Sequence, residues 1–461
     1  MNDSARAAGA PPPKFVVGST MRHVVEMTAT ASVGLLAIFL VDFLSLLYVS
    51  WLGDKASTAG VGFASVVFFF AMSVNIGLMI AVSALMSKAL GAGDRPRARE
   101  LGGAALALMV VLSTAMALAI MLLLPVLLPL LGAQGRVYDV AHRFLMIALP
   151  STPLMALGMG WSSALRAIGD AKRAMNVTLS GGIATAIFDP LLIFGFHLGV
   201  DGAAIATIIS RIIFAYVGYL GAVKLHDLIA QPTLDMVKRN ARAVMKVAGP
   251  AILTNLAAPV AISFVTRVTA QFGESAIAAS AIIDRVVPLA FGGVFALTGA
   301  IGPILGQNWG AKRFDRMRRA FLDALIFVAV YVIGVWIILV ALREGLVHVF
   351  GVADLTADLV RFFALASGPI WLFMGFLFTA NSAFNNLGFP LYATGFNWGR
   401  ATLGTMPFAL LGASLGGAQG VMVGFGCGAA LFAIGSVWVA WRCIGRLEQQ
   451  APAVEASRLA A

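Results

Sequence analysis

The sequence predicts an all-α membrane protein of twelve transmembrane helices in two pseudo-symmetric six-helix lobes. Three observations predict it: a composition that no aqueous core can hide, apolar runs of spanning length along the whole chain, and an internal repeat that joins the two halves. Of the 461 residues, 60% are hydrophobic and 11% charged, against roughly 45–50% and 25% in soluble domains. Runs of spanning length recur at 24–50, 59–87, 101–131, 137–165, 174–196, 202–222, 247–271, 275–305, 320–342, 357–384, 390–414 and 419–441. Each is long enough to cross a hydrocarbon core roughly 30 Å thick at about 1.5 Å per helical residue. The runs lack the two-residue alternation of a barrel strand, and backbone in lipid must satisfy its own hydrogen bonds, so the runs are helices. The first run is too long for a signal-peptide core and reads as a retained span.

Basic residues set the orientation. Between alternate pairs of spans, 23 of the 32 Lys and Arg residues fall on the side of both termini and 5 on the other, with Arg211, Arg267, Arg285 and Arg400 inside spans. By the positive-inside rule both termini face the cytoplasm of a cell inner membrane. The formal charge of +11 sits in short connectors and forms no single basic stripe, which excludes a nucleic-acid partner. Cys427 and Cys443 are the two cysteines, which implies neither a disulfide framework nor a metal site. The domain reading is a cytoplasmic leader 1–23, an N-terminal lobe 24–225, a connector 226–246, a C-terminal lobe 247–445 and a cytoplasmic tail 446–461.

The repeat is carried by four blocks. WLGDKA at 51–56 returns as QFGESA at 271–276, GAGDRPRARE at 91–100 as GAKRFDRMRR at 310–319, ALRAIG at 164–169 as AFNNLG at 383–388, and PLLIFGFHLG at 190–199 as PFALLGASLG at 407–416. The spacing stays between 217 and 220 residues by subtraction of these positions. An even number of helices separates equivalent spans, so the copies share one orientation, as in alternating-access carriers.

Charge in mid-span needs a partner or a role, because its transfer to hydrocarbon costs several kcal/mol. Asp42 and Asp189 lie 20 and 16 residues beyond Arg22 and Arg173, at similar depth in the outer half of the first and fifth spans. Thr185 is one turn before Asp189 on the same helix face, and Thr207 lies in the outer half of the sixth span. The repeat aligns Asp42 with Ile262, Asp189 with Met406 and Thr207 with Phe425, so only the first copy carries the polar set. Asp42, Asp189, Thr207 and Thr185 are therefore the candidate cation-coupling residues. Two neighbouring carboxyls in an apolar medium do not both ionise cheaply, which makes the pair a proton acceptor. Na⁺ needs several oxygen ligands and is the alternative ion. Blander readings stand beside these: Asp42 paired with an in-span arginine, Asp189 managing the kink at Pro190, and Thr207 bonded to its own helix. Asp284 and Arg285 point to different helix faces, and His197 falls in an outer loop. Gly412-Ala-Ser-Leu-Gly416 matches a nucleophile elbow, but all five histidines precede Ser414 and no strand precedes the motif, so no hydrolase order exists. No phosphate loop and no zinc-protease motif occur, so the chain is not an enzyme.

VDFLSLLYVSWLGDKASTAG at 41–60, SKALGAGDRPRARE at 87–100, FDPLLIFGFHLGVDGAAIAT at 188–207 and GPILGQNWGAKRFDR at 302–316 carry a resemblance. Over nearly its full length the chain resembles the multidrug and toxic compound extrusion (MATE) transporters. The resemblance implies two lobes opening alternately and export of amphipathic, often cationic, compounds in exchange for H⁺ or Na⁺. It also implies a first-lobe cation site at Asp42, Asp189 and Thr207. Some relatives carry Asn where this chain has Thr185, and NorM-like relatives carry acids on helices 7 and 10, which read here as lacking them. The chain is more similar to the DinF-like type, although helix 1 has no proline between Val24 and Ser50. The expectation is a proton-coupled multidrug antiporter, monomeric, with no cofactor, whose partners are a small-molecule substrate and membrane lipid. A Na⁺-coupled antiporter, a lipid-linked saccharide flippase and a channel are the alternatives.

Overall fold

The computed structural model describes residues 12–459, with side chains to Gln450. Arg6, the side chain of Arg458 and the last two residues of the tail lie outside the described residues. Helices make up nearly all of the fold, and no strand occurs among the described residues. We number them α1 (Thr20–Ser50), α2 (Lys55–Gly91), α3 (Arg95–Leu130), α4 (Gly135–Ile168), α5 (Ala171–Gly195), α6 (Gly199–Leu225) and α7 (Leu234–Ala270). Next come α8, which is Glu274–Ala290 bent by 47° into Gly292–Gly310, then α9 (Phe314–Ala341) and α10 (Asp354–Asn386).

The remaining stretch, Pro390–Gln450, is 61 residues long, about 90 Å of helix at ~1.5 Å per residue and far too long for one crossing. Gly416 and Gly417 leave the helical region, Gly417 with φ of 57°, and the chain turns back on itself there. We name the two arms α11 (390–416) and α12 (417–450). Their backbones touch along a glycine stripe: an added Cβ on Gly412 would fall 2.0 Å from the Gly420 carbonyl oxygen, on Gly424 2.0 Å from that of Phe408, and on Gly428 1.6 Å from that of Gly404. Small residues four apart let helices approach this closely in lipid, where packing and not water drives association. With this hairpin divided, the ten unbroken candidate spans and the one bent pair come to twelve crossings. The serine of the false elbow motif belongs to the same hairpin, and its hydroxyl donates to Leu411 of its own helix at 2.8 Å.

Large apolar side chains stand exposed along these helices, among them Leu122, Leu130 and Leu415, as a lipid-solvated surface requires. The duplication is visible in the backbone. Left-handed turns at Gly53, Gly93, Gly132, Gly169 and Gly199 are matched at Gly273, Lys312, Gly351, Gly388 and Gly417. Side chains follow: Ser163 Oγ on α4 donates to the Met79 carbonyl on α2 at 3.0 Å, and Ser382 Oγ on α10 donates to the Thr298 carbonyl on α8 at 2.8 Å.

Several expectations are revised. The spans run past their apolar limits because polar end residues remain helical; Asp94 and Asp170, for example, cap α3 and α5 by accepting the backbone N–H of Arg97 and Arg173. Burial of Asp170 opposes ionisation, but bonds from Arg173 and His226 outweigh it and hold the carboxyl below its usual range. The 226–246 connector is largely helix, since α7 begins at Leu234. The eighth span, expected to be continuous, breaks after Pro288, where proline removes a helical donor and Gly292 follows. Tyr331 on α9 seals the break, donating to the Ala290 carbonyl at 2.9 Å and accepting from the Gly293 N–H at 3.2 Å.

The chain forms two compact units. One contains 33–86 and 94–252; the other contains the described residues up to Ser32, Ser87–Gly93 and the described residues from Leu253 onward. The beginning of α1 therefore belongs with the C-terminal helices. Phe15, fully buried, is tied there: its N–H donates to Gln307 Oε1 at 3.0 Å, and its carbonyl accepts from Asn308 at 3.1 Å and Arg316 at 3.0 Å. Thr20 donates to Asp323 of α9, a buried acid that also pairs with Arg319 at 3.0 Å. The end of α2 joins the same unit, with the Lys88 ammonium 3.4 Å from the centre of the Trp309 ring.

The glycine stripe gives a direct expectation for stability. Gly424→Ala forces a methyl into the Phe408 backbone, where the neighbouring atoms cannot rotate away, and should cost about 1–3 kcal/mol, the range for overpacking a closely packed site. A thermal melt of the purified variant against wild type measures it; an unchanged midpoint contradicts the close approach of α11 and α12.

Candidate cation-coupling site

The candidate residues gather in the N-terminal unit because α1, α5 and α6 pack there through glycines. Gly34 on α1 meets Thr178 on α5, where a Cβ would lie 3.1 Å from the threonine methyl. One turn on, Gly182 of α5 faces Val41 and the Ala37 carbonyl of α1. The two helices thus run in parallel, and the same register brings Asp42 and Ser45 level with Asp189. Helix α6 runs antiparallel to α5: Gly202 abuts the backbone of Leu192, Ser210 Oγ donates to the Gly181 carbonyl at 2.8 Å, and Gly218 approaches Val177. That register sets Thr207 level with Thr185.

Local sequence explains why Asp189 sits where helix geometry changes. Pro190 has no N–H to donate, and the following Leu191–Gly195 widens into a π-helical turn, a distortion frequent at functional sites. Asp189 is 1% exposed, and among the described residues neither of its carboxylate oxygens has a hydrogen-bond partner. The Ser45 hydroxyl acts on it without completing a hydrogen bond, and the Asp42 carboxylate acts on it through charge. Asp42 is exposed along its helix and makes no hydrogen bond or ion pair among the described residues. A sealed acid is therefore coupled through charge to one that is exposed along its helix. An ionised carboxylate without donors is among the costliest groups to bury, so Asp189 requires a proton or a bound cation.

The threonines behave differently. Thr185 Oγ1 donates to Gly181 at 3.1 Å and Thr207 Oγ1 to Ala203 at 3.0 Å, each turned back onto its own helix. The structure brings them to the level of the acids but does not point their donors at them. Ser45 and Ser210 were missed in the sequence. Their signal was present in the spacing, since Ser45 is three residues after Asp42 and Ser210 three after Thr207, each pair on one helix face.

The arginine reading for Asp42 finds no support in this geometry. Arg211, in the same unit, donates to the Ala148 carbonyl at 3.1 Å and Ser151 Oγ at 2.9 Å and lies 4.7 Å over the Phe68 ring. In the C-terminal unit Arg400 is 3% exposed, stands 5.8 Å from the Phe425 ring and leaves its Nε without a partner among the described residues. Arg267 and Asp284 are exposed along their helices, and Asp284 is acted on by Arg285. Asp358 does fall within α10, contrary to the reading that this span lacks an acid. It lies one turn from the start of α10, largely exposed and paired with Arg361 at 3.2 Å. His197 occupies the connection between α5 and α6 with φ of 54°.

Known proteins agree with this architecture. The sequence model of the MatE family matches residues 31–191 and 250–411, one segment in each repeat. A protein of Shewanella oneidensis named FAD transporter is 27% identical over 432 residues, spanning 91% of this chain and 94% of its own. The multidrug export protein MepA of Staphylococcus aureus is 23% identical over 382 residues, 79% of this chain and 82% of its own. The crystal structure of a Vibrio cholerae MATE transporter superposes with a TM-score of 0.87 at 26% identity, covering 94% of this chain and 99% of that one. With well over half of its length inside the family model and the same fold in that transporter, the chain belongs to the MatE family of multidrug and toxic compound extrusion transporters and is a membrane carrier, not an enzyme.

Proposed function

We propose that the chain is a secondary active antiporter of the cell inner membrane, with both termini cytoplasmic, that exports small amphipathic organic compounds in exchange for protons. The observation that carries this reading is Asp189: a sealed carboxyl with two unpartnered oxygens beside Asp42, which is exposed along its helix and acts on it through charge. Protonation neutralises the buried acid and deprotonation charges it, so the energy of the N-terminal unit depends on whether a proton is present. A conformational equilibrium is biased only by such a differential energy. This coupling within the first repeat is of the DinF-like kind.

The choice of H⁺ over Na⁺ rests on the ligand set. A hard cation needs several converging oxygens with little mutual repulsion, whereas this set pairs two carboxyls with the hydroxyls of Thr185 and Thr207, whose protons go to their own helices and whose lone pairs are the only neutral side-chain acceptors the two offer. Export of drug-like compounds is favoured by the likeness to MepA. A second reading has a specific basis: the relative named FAD transporter and the uncompensated Nε of Arg400 favour a substrate that carries an anionic group.

Asp42→Asn keeps the volume and removes the titration, so proton-driven efflux should fall at least ~10-fold, which corresponds to ~1.4 kcal/mol in the coupled step. The assay is substrate flux in proteoliposomes at matched protein content, and wild-type flux in this variant refutes the assignment. Asp189→Asn should be equally inactive yet no less stable to heat, because it replaces an acid whose ionised form has no hydrogen-bond donor among the described residues.

The ion is tested separately. In sodium-free buffer an imposed pH gradient should drive substrate movement in wild type, and a Na⁺ gradient at fixed pH should not. Flux that follows only the Na⁺ gradient makes the acid pair a sodium site.

A further inference from the structure

Away from the acid pair, the C-terminal unit contains a cavity of about 270 Å³ between α11 and α12, lined among others by Tyr392, Phe396, Trp438, Val439, Arg442 and Arg446. Its walls are fixed by packing. Phe396 stacks on the fully buried Phe384 at 5.8 Å and 4°, Tyr392 stacks on Phe389 at 5.9 Å, and Gly435 of α12 leaves room for the Phe396 ring. At the polar end the Arg442 guanidinium lies 3.7 Å from the centre of the Trp438 ring. Arg446 follows one helical turn later on the same face.

Neither arginine has a carboxylate partner among the described residues. Glu448, two residues beyond Arg446, pairs with Arg318 at 2.7 Å, and Arg318 itself covers Trp441 at 5.8 Å. Trp438 and Tyr392 of the lining, and Trp441 and Leu391 near them in the sequence, are all exposed, the mixture of aromatic and apolar side chains that stands at a membrane–water boundary. The site thus combines two cations without a carboxylate partner among the described residues, an aromatic wall fixed by packing and an exposed aromatic and apolar rim.

We propose that this cavity binds the headgroup of an anionic phospholipid of the cytoplasmic leaflet, with Arg442 and Arg446 holding the phosphodiester and the acyl chains leaving over Tyr392 and Leu391. Each chemical feature fits that occupant. Guanidinium pairs match phosphate oxygens with paired donors, basic pockets between helices on the cytoplasmic side favour anionic headgroups, and the volume is about nine times the ~30 Å³ share of one liquid water. A soluble anion would not require the apolar rim. The site does not depend on which ion drives transport.

The test uses the full chain, purified in neutral detergent, with lipid binding followed by native mass spectrometry and by the thermal midpoint. Phosphatidylglycerol should bind saturably and raise the midpoint, and phosphatidylcholine should do neither. Arg442→Gln with Arg446→Gln should weaken phosphatidylglycerol roughly 10- to 30-fold, the effect of losing two cations beside an anionic surface. The lysine pair Arg442→Lys with Arg446→Lys should restore most of the binding. Lys238→Gln with Arg242→Gln, an exposed pair of cations on α7 with the same spacing, is the control and should change binding less than about 2-fold, as lost bulk charge alone would. Equal binding of the two lipids to wild type, or an unaffected glutamine pair, overturns the proposal. So does full displacement of the lipid by inorganic phosphate at equal concentration, which would make the cavity a site for a free anion. Should the glutamine pair fail to fold, the comparison of lipids on wild type decides.

Discussion

Hydrocarbon offers no hydrogen bonds, so every departure from regular helix inside the membrane must be satisfied by the chain itself. That constraint organises the molecule. Where α8 breaks after Pro288, a tyrosine from the neighbouring helix supplies both the acceptor and the donor that the backbone has lost. Where α11 turns into α12, the non-helical residues are confined to two glycines at the hairpin tip. Asp189 is a different case: beside a proline and a π-helical turn, it is a buried acid whose two oxygens meet no hydrogen-bond donor among the described residues. Other buried polar atoms also lack partners among the described residues, for instance both side-chain polar atoms of Asn75 and Nε of Arg400, but only a carboxyl among these sheds its charge by taking up a proton, a partner that arrives and leaves.

Duplication separates scaffold from function. The two repeats share five left-handed turns and the same serine-to-carbonyl bond between equivalent helices, so the backbone solution has been kept twice. The charges have not. Helix α5 holds a buried acid, whereas its counterpart α11 holds a buried arginine beside its own π-helical turn at Arg400–Gly404. One frame with opposite charges in its two copies is what a carrier needs if one copy handles the coupling ion and the other is free to serve a different ligand.

Much of this was legible in the sequence. The spans, their number and the repeat could be read because hydrophobic length and block spacing are properties of the chain alone. Asp42 and Asp189 could be paired because odd-numbered helices run the same way and equal distances from the cytoplasmic arginines give equal depth. Rotamers were not legible: nothing in the sequence says that the Thr185 and Thr207 hydroxyls choose their own carbonyls over the acids, since both choices satisfy the donor. Nor was the partition at the start of α1, which depends on Thr20, Phe15 and their partners about three hundred residues away. The bend in α8 had a local signal, Pro288 followed by two glycines, but hydropathy averages over such punctuation and α8 reads as one span.

The tether at Phe15 bears on the order of assembly. Its partners Gln307, Asn308 and Arg316 are synthesised some three hundred residues later, when all six helices of the first repeat have already been made. Contacts this distant in sequence close large loops and form late. The C-terminal unit thus cannot complete itself from C-terminal residues alone, and the second half of the chain, made on its own, would lack part of its own core. Phe15 is made before all three of its partners and finds its place only after the last of them.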